Sequence, residues 1–368
     1  GRAAAALARL SQNVQLHAYA SKDWVEDARH SMAVFGVKAH LIEIDENIGF
    51  HYFHPLSNAD LEPATINRSK PLRAEGDAAL RFGFVEGDAI LKARRVVYDP
   101  QNAADVLSFR DNGSEADELA ICLNELELRL GVGQSESIGA RRLMQQTGAK
   151  IVVVKRGVRG AVVYEGKNET VIPAYKADPI FKIGSGDIFT AVFAHAWAEE
   201  KISSVDAARR ASRAVSRYVQ SRNIDAVADE NEDYEEAPTG SPGQVYLAAP
   251  FFNLGQRWAV EEARAALLRV GATVFSPFHE VGVLGGSRHI AEADLAGLRE
   301  AKSVLAIIDG EDTGTLFEVG YARDRGLPVV ALAESVRGES LTMLEGSGCR
   351  IVNDFTTAVY HAAWEASS

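Results

Sequence analysis

The sequence predicts an α/β protein of two domains, a larger one followed by a smaller one with a parallel sheet. The chain has 368 residues, which is long for a single hydrophobic core. Short apolar strands alternate with amphipathic helical stretches along most of it, as in parallel sheets covered by helices. The segment NIDAVADENEDYEEAPTGSPG, residues 223–243, is acidic and rich in turn residues. We therefore place domains at residues 1–225 and 244–368, joined by an acidic linker at 226–243.

The composition limits which binding partners and which cellular compartment fit this sequence. The net charge of -12 argues against a general nucleic-acid surface. Cys122 and Cys349 are the only cysteines, so no disulfide framework is expected and a reducing cytoplasm fits. No apolar run reaches the about 18 residues of a membrane helix. The start, GRAAAALARLS, is too polar for a secretory signal and is typical of a helix. Because it begins with Gly1 rather than Met, the sequence leaves open whether residues precede it.

The second domain contains the strands VYLAAP, ATVFSP, SVLAIID and LPVVALA, with helices predicted at 256–270 and near 290–301. In such sheets ligands bind at the carboxyl ends of the strands. Phe251 and Phe252 follow the first strand, and the third strand runs into the loop 310–314. The helix that carries Asp294 leads into that third strand. We expect these three segments to meet at one edge of the sheet.

Glu318 has two interpretations. Gly314 permits a tight turn, and Thr313 or Thr315 could cap the helix that follows. Glu318 then lies at or near the first helical turn, where the helix dipole favours a carboxylate. It is either the second member of a capping box with Thr315, or a catalytic carboxylate. Physical reasoning on the residues leaves both open.

Three segments of this domain together resemble the nucleoside 2-deoxyribosyltransferase family. They are VYLAAPFF, AEADLAGLREAKSVLAIIDG and DTGTLFEVGYARDRGLPVV, in the family's order over roughly residues 244–335. The resemblance implies a Rossmann-like parallel sheet and a nucleophilic glutamate at Glu318. It also matches Asp312 with the loop aspartate, Asp294 with the aspartate of the preceding helix and Tyr246 with the tyrosine of the first strand.

The chemistry of N-glycosidic bonds explains these residue types. The transition state resembles an oxocarbenium ion, which a carboxylate can stabilise or trap as a glycosyl ester. A second carboxylic acid with a raised pKa can protonate the leaving base. We prefer Asp294 for that role and Asp312 for holding sugar or base, although the sequence does not separate them. Tyr246 could hold Glu318 by a hydrogen bond, or it could be an ordinary strand aromatic.

Substrate contacts are predicted for the aromatic and turn residues. Phe251 and Phe252 could stack on the base, although an aromatic pair at a strand end is more often core. Gly314 and Thr315 are the remaining predicted substrate contacts. The glycine-rich residues 285–289, GGSRH, have anion-binding chemistry and could hold a phosphate, although a solvated basic loop is the more common explanation.

The resemblance leaves hydrolase and transferase open, because water or a second base can attack the intermediate. The region SLTMLEG lacks the asparagine that transferases often place there to reach the sugar, which weakens the strict transferase interpretation. The expected partner is a small nucleoside or nucleotide, with no cofactor for this domain, and we expect a homo-oligomer. The alternatives are an NAD or nucleotide glycohydrolase and a non-catalytic nucleotide sensor.

The first domain carries a different signature, KIGSGDIFTAVFAHAW at residues 182–197. Gly184, Ser185 and Gly186 would expose backbone N–H groups at a helix start, an anion hole for phosphate. Asp187 follows as a candidate base for a substrate hydroxyl. The same pattern also suits an ordinary helix cap. It resembles the Gly-Ala-Gly-Asp motif of ribokinase-like (PfkB-family) carbohydrate and nucleoside kinases.

Further segments of residues 1–225 resemble that family. They are VVYDPQN, AKIVVVKRGVRGAVVYEG, FHYFHPLS near a substrate lid, and LNELE, whose Asn124 and Glu127 match a motif near magnesium. The resemblance implies a ribokinase-like α/β domain that uses ATP and magnesium to phosphorylate a nucleoside or sugar. Two departures from the family's pattern bear on whether this domain is an active kinase. Phe181 and Lys182 stand where the family has Asp-Thr, and the usual first strand is missing before Gly1.

Overall fold

A computed structural model describes residues 1–229, 234–282 and 286–367. The chain divides into two compact units, each with its own sheets, and the predicted α/β class is confirmed. The first unit comprises Gly1–Ala177 and Lys182–Glu236, and the second comprises Asp178–Phe181 and Ala237–Ser368. The four residues Asp178–Phe181, which lie inside the predicted first domain, are thus grouped with the second unit.

The first unit is built on a six-stranded sheet with two small two-stranded sheets. Its helices and strands are α1 Arg2–Leu7, β1 Gln15–Ser21, α2 Val25–Val34, β2 Lys38–Ile44, β3 Gly49–Tyr52, β4 Ala59–Glu62, β5 Leu72–Phe82, β6 Ala89–Asp99, β7 Glu115–Asn124, α3 Glu125–Val132, α4 Glu136–Thr147, β8 Ile151–Lys155, β9 Ala161–Glu165, β10 Asn168–Ile172, α5 Ser185–Ala194 and α6 Ser204–Ser221. The large sheet has the order β10-β9-β8-β7-β6-β5, with β5 to β8 parallel and β9 and β10 antiparallel.

The core of the first unit lies on the central strands of the large sheet. Strand β8, IVVVK, is rich in β-branched residues and its first four positions are buried. Tyr98 of β6 and Ile121 of β7 are also fully buried. Strands buried on both faces have continuous apolar sequences, which is why these elements could be predicted from the sequence. Their carboxyl ends carry Asp99, Asn124 and Lys155.

The second unit is a five-stranded parallel sheet covered by helices. Its elements are β11 Gln244–Ala248, α7 Leu254–Arg269, β12 Thr273–Phe275, α8 Pro277–Glu280, α9 Ser287–Glu300, β13 Ser303–Ile307, α10 Thr313–Asp324, β14 Val329–Leu332, α11 Thr342–Gly346, β15 Arg350–Val352 and α12 Phe355–Glu365. The strand order is β12-β11-β13-β14-β15. From β11 the chain first adds β12 on one side and then β13 on the other. The crevice between the carboxyl ends of β11 and β13 is therefore the position where such sheets bind ligands.

Residues Asp178–Phe181 are fastened to the end of the second unit. The backbone N–H of Ile180 donates to Oγ1 of Thr357 on α12 at 2.8 Å, and Arg350 pairs with Asp178 at 3.0 Å. Both Ile180 and Thr357 are buried. Of the predicted linker, residues 230–233 lie outside the described residues. Glu235 and Glu236 pair with the 175–176 segment of the first unit.

Candidate active sites

Tyr246 and Glu318 meet at the crevice of the second unit. Strand β11 places Tyr246, and the second turn of α10 places Glu318. The Tyr246 hydroxyl donates to Oε1 of Glu318 at 2.8 Å, which is the contact expected from the sequence. The ring of Tyr246 is fully buried and stacks on Phe275 of the neighbouring strand, with centroids 5.3 Å apart and planes 13° apart. The tyrosine is therefore a fixed donor toward the carboxylate.

The start of α10 corrects two expectations about capping. The N-cap is Asp312, whose Oδ2 accepts from the N–H of Thr315 at 2.7 Å and from its hydroxyl at 2.9 Å. Neither Thr313 nor Thr315 caps the helix. Glu318 lies six residues after the cap, beyond the first turn, so the capping-box interpretation is wrong. Glu318 is left without a structural role at the helix start.

A side chain at position 314 would crowd the helix cap. A Cβ atom at Gly314 would lie 3.1 Å from Oδ2 of Asp312, which is the capping oxygen. Thr315 is buried beneath the turn. These two predicted substrate contacts thus shape the loop that carries Asp312.

Three carboxyl groups, Glu318, Asp294 and Asp312, form an acid cluster. Burial raises the pKa of Glu318 to about 8; the hydrogen bond from Tyr246 opposes this rise, and the charges of Asp294 and Asp312 add to it. Burial also raises the pKa of Asp294. Oδ1 of Asp294 is buried and accepts no hydrogen bond from any described residue. No lysine, arginine or histidine in the described chain forms an ion pair with these three carboxyls. Burial without a cation partner therefore favours the protonated form of Glu318 near neutral pH.

The aromatic pair after β11 lies partly in the open. Phe251 and Phe252 stack with centroids 5.4 Å apart, and Phe251 also contacts Phe278 at 5.4 Å. Phe252 is 70% exposed to solvent. Phe252 is thus not a core residue, and its ring is accessible to a planar ligand.

Asp309 organises the loop next to this crevice, a role that we did not predict. Its carboxylate accepts from the backbone N–H groups of Glu334, Ser335 and Val336 at 2.8, 2.7 and 3.1 Å. Burial alone would raise the pKa of Asp309, but the Ser335 hydroxyl and the backbone donors lower it. The loop after β14 is thereby tied to the end of β13. The signal in the sequence was an acid directly after a buried strand.

The predicted phosphate loop at 285–289 is only partly described, because residues 283–285 lie outside the described residues. Arg288 lies in the first turn of α9 with its side chain 92% exposed and pairs with Glu292 at 2.8 Å. The contacts that the structure gives to Arg288 are those of a solvated surface pair.

In the first unit, residues 184–187 form a glycine turn at the start of α5. Gly184 is the N-cap with φ +84°, a left-handed conformation that favours glycine, and Asp187 lies in the first helical turn. Nη1 of Arg2 donates to Oδ2 of Asp187 at 3.0 Å. The turn therefore brings backbone N–H groups, a carboxylate and a guanidinium together.

A buried ion pair adjoins the glycine turn. Nζ of Lys155 lies 2.5 Å from Oδ2 of Asp99, which also accepts from the Thr190 hydroxyl at 2.7 Å. The pKa of Lys155 is raised by Asp99 and Glu127, although burial alone would lower it. A Cβ atom on Gly186 would be 3.7 Å from Nζ of Lys155. Sequence reasoning missed Lys155 and Asp99 because strand ends several residues apart in different segments give no local signal of pairing.

Asn124 and Glu127, predicted near magnesium, form a capping box at the start of α3. The N–H of Glu127 donates to Oδ1 of Asn124, and the N–H of Asn124 donates to Oε2 of Glu127, both at 2.8 Å. Burial raises the pKa of Glu127. Across the described residues, no group of three or more His, Cys, Asp or Glu side chains is placed to hold a metal ion.

Comparisons with known proteins match the two units to two enzyme families. The model of the nucleoside 2-deoxyribosyltransferase family matches residues 245–352. The model of the pfkB family of carbohydrate kinases matches residues 92–230. Both resemblances inferred from the sequence are thereby confirmed. A search of curated proteins returned no match.

Solved structures similar to this chain include members of both families. A 2-deoxyribosyltransferase from Bacillus psychrosaccharolyticus is 30% identical over 31% of this chain and 88% of its own, with a TM-score of 0.28. A PfkB protein from Polaromonas sp. JS666 is 18% identical over 62% of this chain and 87% of its own, with a TM-score of 0.43. A fructokinase from Vibrio cholerae O395 is 15% identical over the same shares, also with a TM-score of 0.43.

None of the helices in the described residues has both the length and the apolar character that crossing a membrane requires.

Proposed function

We propose that the second unit cleaves or transfers the N-glycosidic bond of a nucleoside or nucleotide, with Glu318 as nucleophile. The observation that carries this proposal is the acid cluster at the crevice between β11 and β13, with Glu318 held by Tyr246 at 2.8 Å. The family match over residues 245–352 supports the same chemistry.

The first step joins Glu318 to the sugar. A carboxylate oxygen of Glu318 attacks the anomeric carbon, and the bond from that carbon to the base nitrogen breaks. The transition state carries positive charge on the sugar, which a cluster of carboxyls without a cation partner favours. The buried Tyr246 keeps the attacking carboxyl in one orientation.

Departure of the base requires a proton. Asp294 is suited to supply it, because burial raises its pKa and leaves Oδ1 without a hydrogen-bond partner in the described chain. Asp312 is less suited, since its Oδ2 is already engaged as the helix cap. The exposed ring of Phe252 is positioned to stack on the base.

Water or a second base then attacks the anomeric carbon, the ester bond to Glu318 breaks, and the proton of the attacking group returns to Asp294. Water gives a hydrolase, and a base gives a transferase. Incubation with a panel of nucleosides and nucleoside monophosphates, with and without a second free base, separates the two by free base released against exchanged nucleoside formed. Release of nicotinamide from NAD instead would favour the glycohydrolase alternative, and binding without turnover would favour a sensor.

The nucleophile itself can be trapped. A 2-fluoro sugar analogue slows breakdown of the glycosyl ester, so mass should accumulate on the peptide that contains Glu318. Labelling of a peptide with Asp294 or Asp312 instead would assign the nucleophile to that residue and overturn the role of Glu318.

For the first unit we propose a second activity, phosphoryl transfer from ATP to a sugar or nucleoside hydroxyl. The observation that favours it is the glycine turn, with Asp187 directly after the backbone donors. The pfkB family match over residues 92–230 supports it. The carboxylates beside the turn do not form a magnesium site by themselves: no described group of three or more such side chains is placed to hold a metal ion, Asp99 is paired with Lys155, and Glu127 is engaged in the capping box with Asn124.

Asp187→Asn tests this second activity. Removing a positioned general base should lower phosphoryl transfer roughly 100- to 10,000-fold, measured as ADP formed with a panel of sugars and nucleosides. Base release by the second unit should be unchanged in the same protein. If the unaltered chain transfers phosphate to no member of the panel, the kinase proposal is withdrawn.

A further inference from the structure

We propose that Arg2 is a phosphoryl-binding residue of the first unit, which holds Asp187 toward the acceptor hydroxyl and contacts the transferred phosphoryl group. This inference rests on the phosphoryl transfer proposed above and names a residue that neither the sequence motifs nor the family match assigned.

Arg2 lies directly on the glycine turn. Its Nη1 donates to Oδ2 of Asp187 at 3.0 Å. A Cβ atom built on Gly184 would lie 2.4 Å from Cδ, Nε and Nη1 of Arg2. The guanidinium thus occupies the open side of Gly184, and glycine is required there both for φ +84° and for this contact. A side chain at position 184 would displace the Arg2 side chain from this place.

The Arg2–Asp187 pair is ordered and partly exposed to solvent. The Tyr218 hydroxyl donates to the carbonyl of Ile183 at 3.0 Å. Arg2 and Asp187 both lie close enough to this hydroxyl for their charges to act on it. The side chains of Arg2 and Asp187 are 36% and 30% exposed. A ligand on the turn therefore meets an ordered guanidinium without first opening a buried contact.

The local charge balance gives Arg2 its importance. Asp187, Asp99 and Glu127 lie at or beside the turn, and Lys155 is already paired with Asp99 at 2.5 Å. Without Arg2, Asp187 would lose its guanidinium partner, and the turn would be more negative toward a polyanionic phosphate donor. Arg2 is thus a cation whose guanidinium makes this side of the turn more favourable for phosphate.

The geometry of a guanidinium suits both tasks at once. Its planar fork can keep one N–H on a carboxylate while others donate to phosphoryl oxygens. In the transfer, the acceptor oxygen attacks the terminal phosphorus of a nucleoside triphosphate, and the bond to the bridging oxygen breaks. The diphosphate leaves, and the hydroxyl proton passes to Asp187. Arg2 offsets the charge on the phosphoryl oxygens throughout.

Arg2→Ala and Arg2→Lys in the full chain test the proposal, with Arg9→Ala as the matched control. Arg9 follows the same helix and pairs with Asp225 at 2.5 Å on the surface. Arg2→Ala should lower kcat for phosphoryl transfer roughly 100- to 1,000-fold, and Arg2→Lys should keep part of it. Arg9→Ala should match the unaltered protein. Added guanidine should restore activity to Arg2→Ala, which a merely structural arginine would not allow.

Binding of inorganic pyrophosphate, measured by calorimetry, separates this inference from the kinase proposal. The unaltered chain should bind pyrophosphate about tenfold more tightly than Arg2→Ala, whether or not an acceptor for transfer is found. Equal binding by both proteins would overturn the role of Arg2, as would the absence of pyrophosphate binding to the unaltered chain. Higher transfer activity in Arg2→Ala would overturn it too, by making the ion pair a block on Asp187.

Discussion

The candidate sites of the two units use the same residue types in opposite electrostatic settings. In the second unit, Glu318 and Asp294 are crowded together without a cation partner in the described chain, and burial raises the pKa of both. In the first unit, Asp187 pairs with Arg2 and Asp99 pairs with Lys155. Carboxyls without a cation partner can hold and deliver protons, whereas the carboxyls of the first unit share their site with cations that also attract anions. The neighbours of a carboxylate therefore decide its chemistry more than its position after a strand or a glycine.

Glu318→Gln should produce the largest effect. The amide is almost isosteric but cannot form the glycosyl ester, so base release should fall roughly 1,000-fold or more. The measurement is free base against time, with Glu300→Gln as control, an exposed acid on the helix that carries Asp294. Retention of a tenth of the activity would mean that this cluster does not act by nucleophilic attack.

Tyr246→Phe should shift the pH dependence of base release. The rising limb of the pH profile, set by loss of the proton from Glu318, should have a midpoint near pH 8, while loss of the proton from Asp294 sets the falling limb. The Tyr246 hydrogen bond stabilises the charged carboxylate, so its removal raises the pKa of Glu318 further and moves this rise to higher pH. A shift of one pH unit lowers activity at pH 7 about tenfold.

The control for this shift is Tyr321→Phe, which removes a tyrosine hydroxyl from α10, the helix that carries Glu318. The ring centroid of Tyr321 lies 5.7 Å from Cζ of Arg325. A profile that keeps its midpoint in Tyr246→Phe would show that the tyrosine does not tune Glu318.

Glu318→Gln should also stabilise the fold at alkaline pH. The pKa of Glu318 is raised from 4.5 to about 8, so the folded chain binds more protons than the unfolded chain between those values. Stability is therefore lost as pH rises through this window. The variant escapes that loss, and its free energy of unfolding should exceed that of the unaltered protein by on the order of 1–3 kcal/mol at pH 8.5. Near pH 4.5 the two should agree.

Urea denaturation at the two pH values measures this difference. Asp187→Asn is the counterpart from the first unit, where the carboxylate has a guanidinium partner, and it should show no such gain. An equal gain for both variants would remove the electrostatic contrast between the two sites.

Thr357→Val should have a smaller effect on stability, and it checks which unit holds residues 178–181. The variant leaves the buried N–H of Ile180 without an acceptor, at a cost of about 1–3 kcal/mol. Thr356→Val is the matched control, because the Thr356 hydroxyl is buried and already lacks a partner in the described chain. Equal melting temperatures for the two variants would mean that Ile180 does not depend on Thr357.

Much of the fold could be predicted because its information is local. Buried strands such as SVLAI and IVVVK are continuous apolar runs, and helices such as α7 begin at recognisable caps such as Asn253. The residue types of both sites could also be predicted, since Glu318 and Asp187 lie in short motifs with a chemical reason for each position. Helix starts were less certain because Asp312, Thr313 and Thr315 are all competent caps, and only the backbone path selects Asp312.

The sequence by itself determined which acids and glycines are present and which strand ends carry them. Only the tertiary structure decided which of these acids lack a cation and which have one. Arg2 and Asp187 are 185 residues apart and Lys155 and Asp99 are 56 apart, and Asp309 binds a loop 25 to 27 residues further on. Charge pairing depends on distances of a few ångströms and on burial, which arise only when distant segments pack, so no local pattern encodes it.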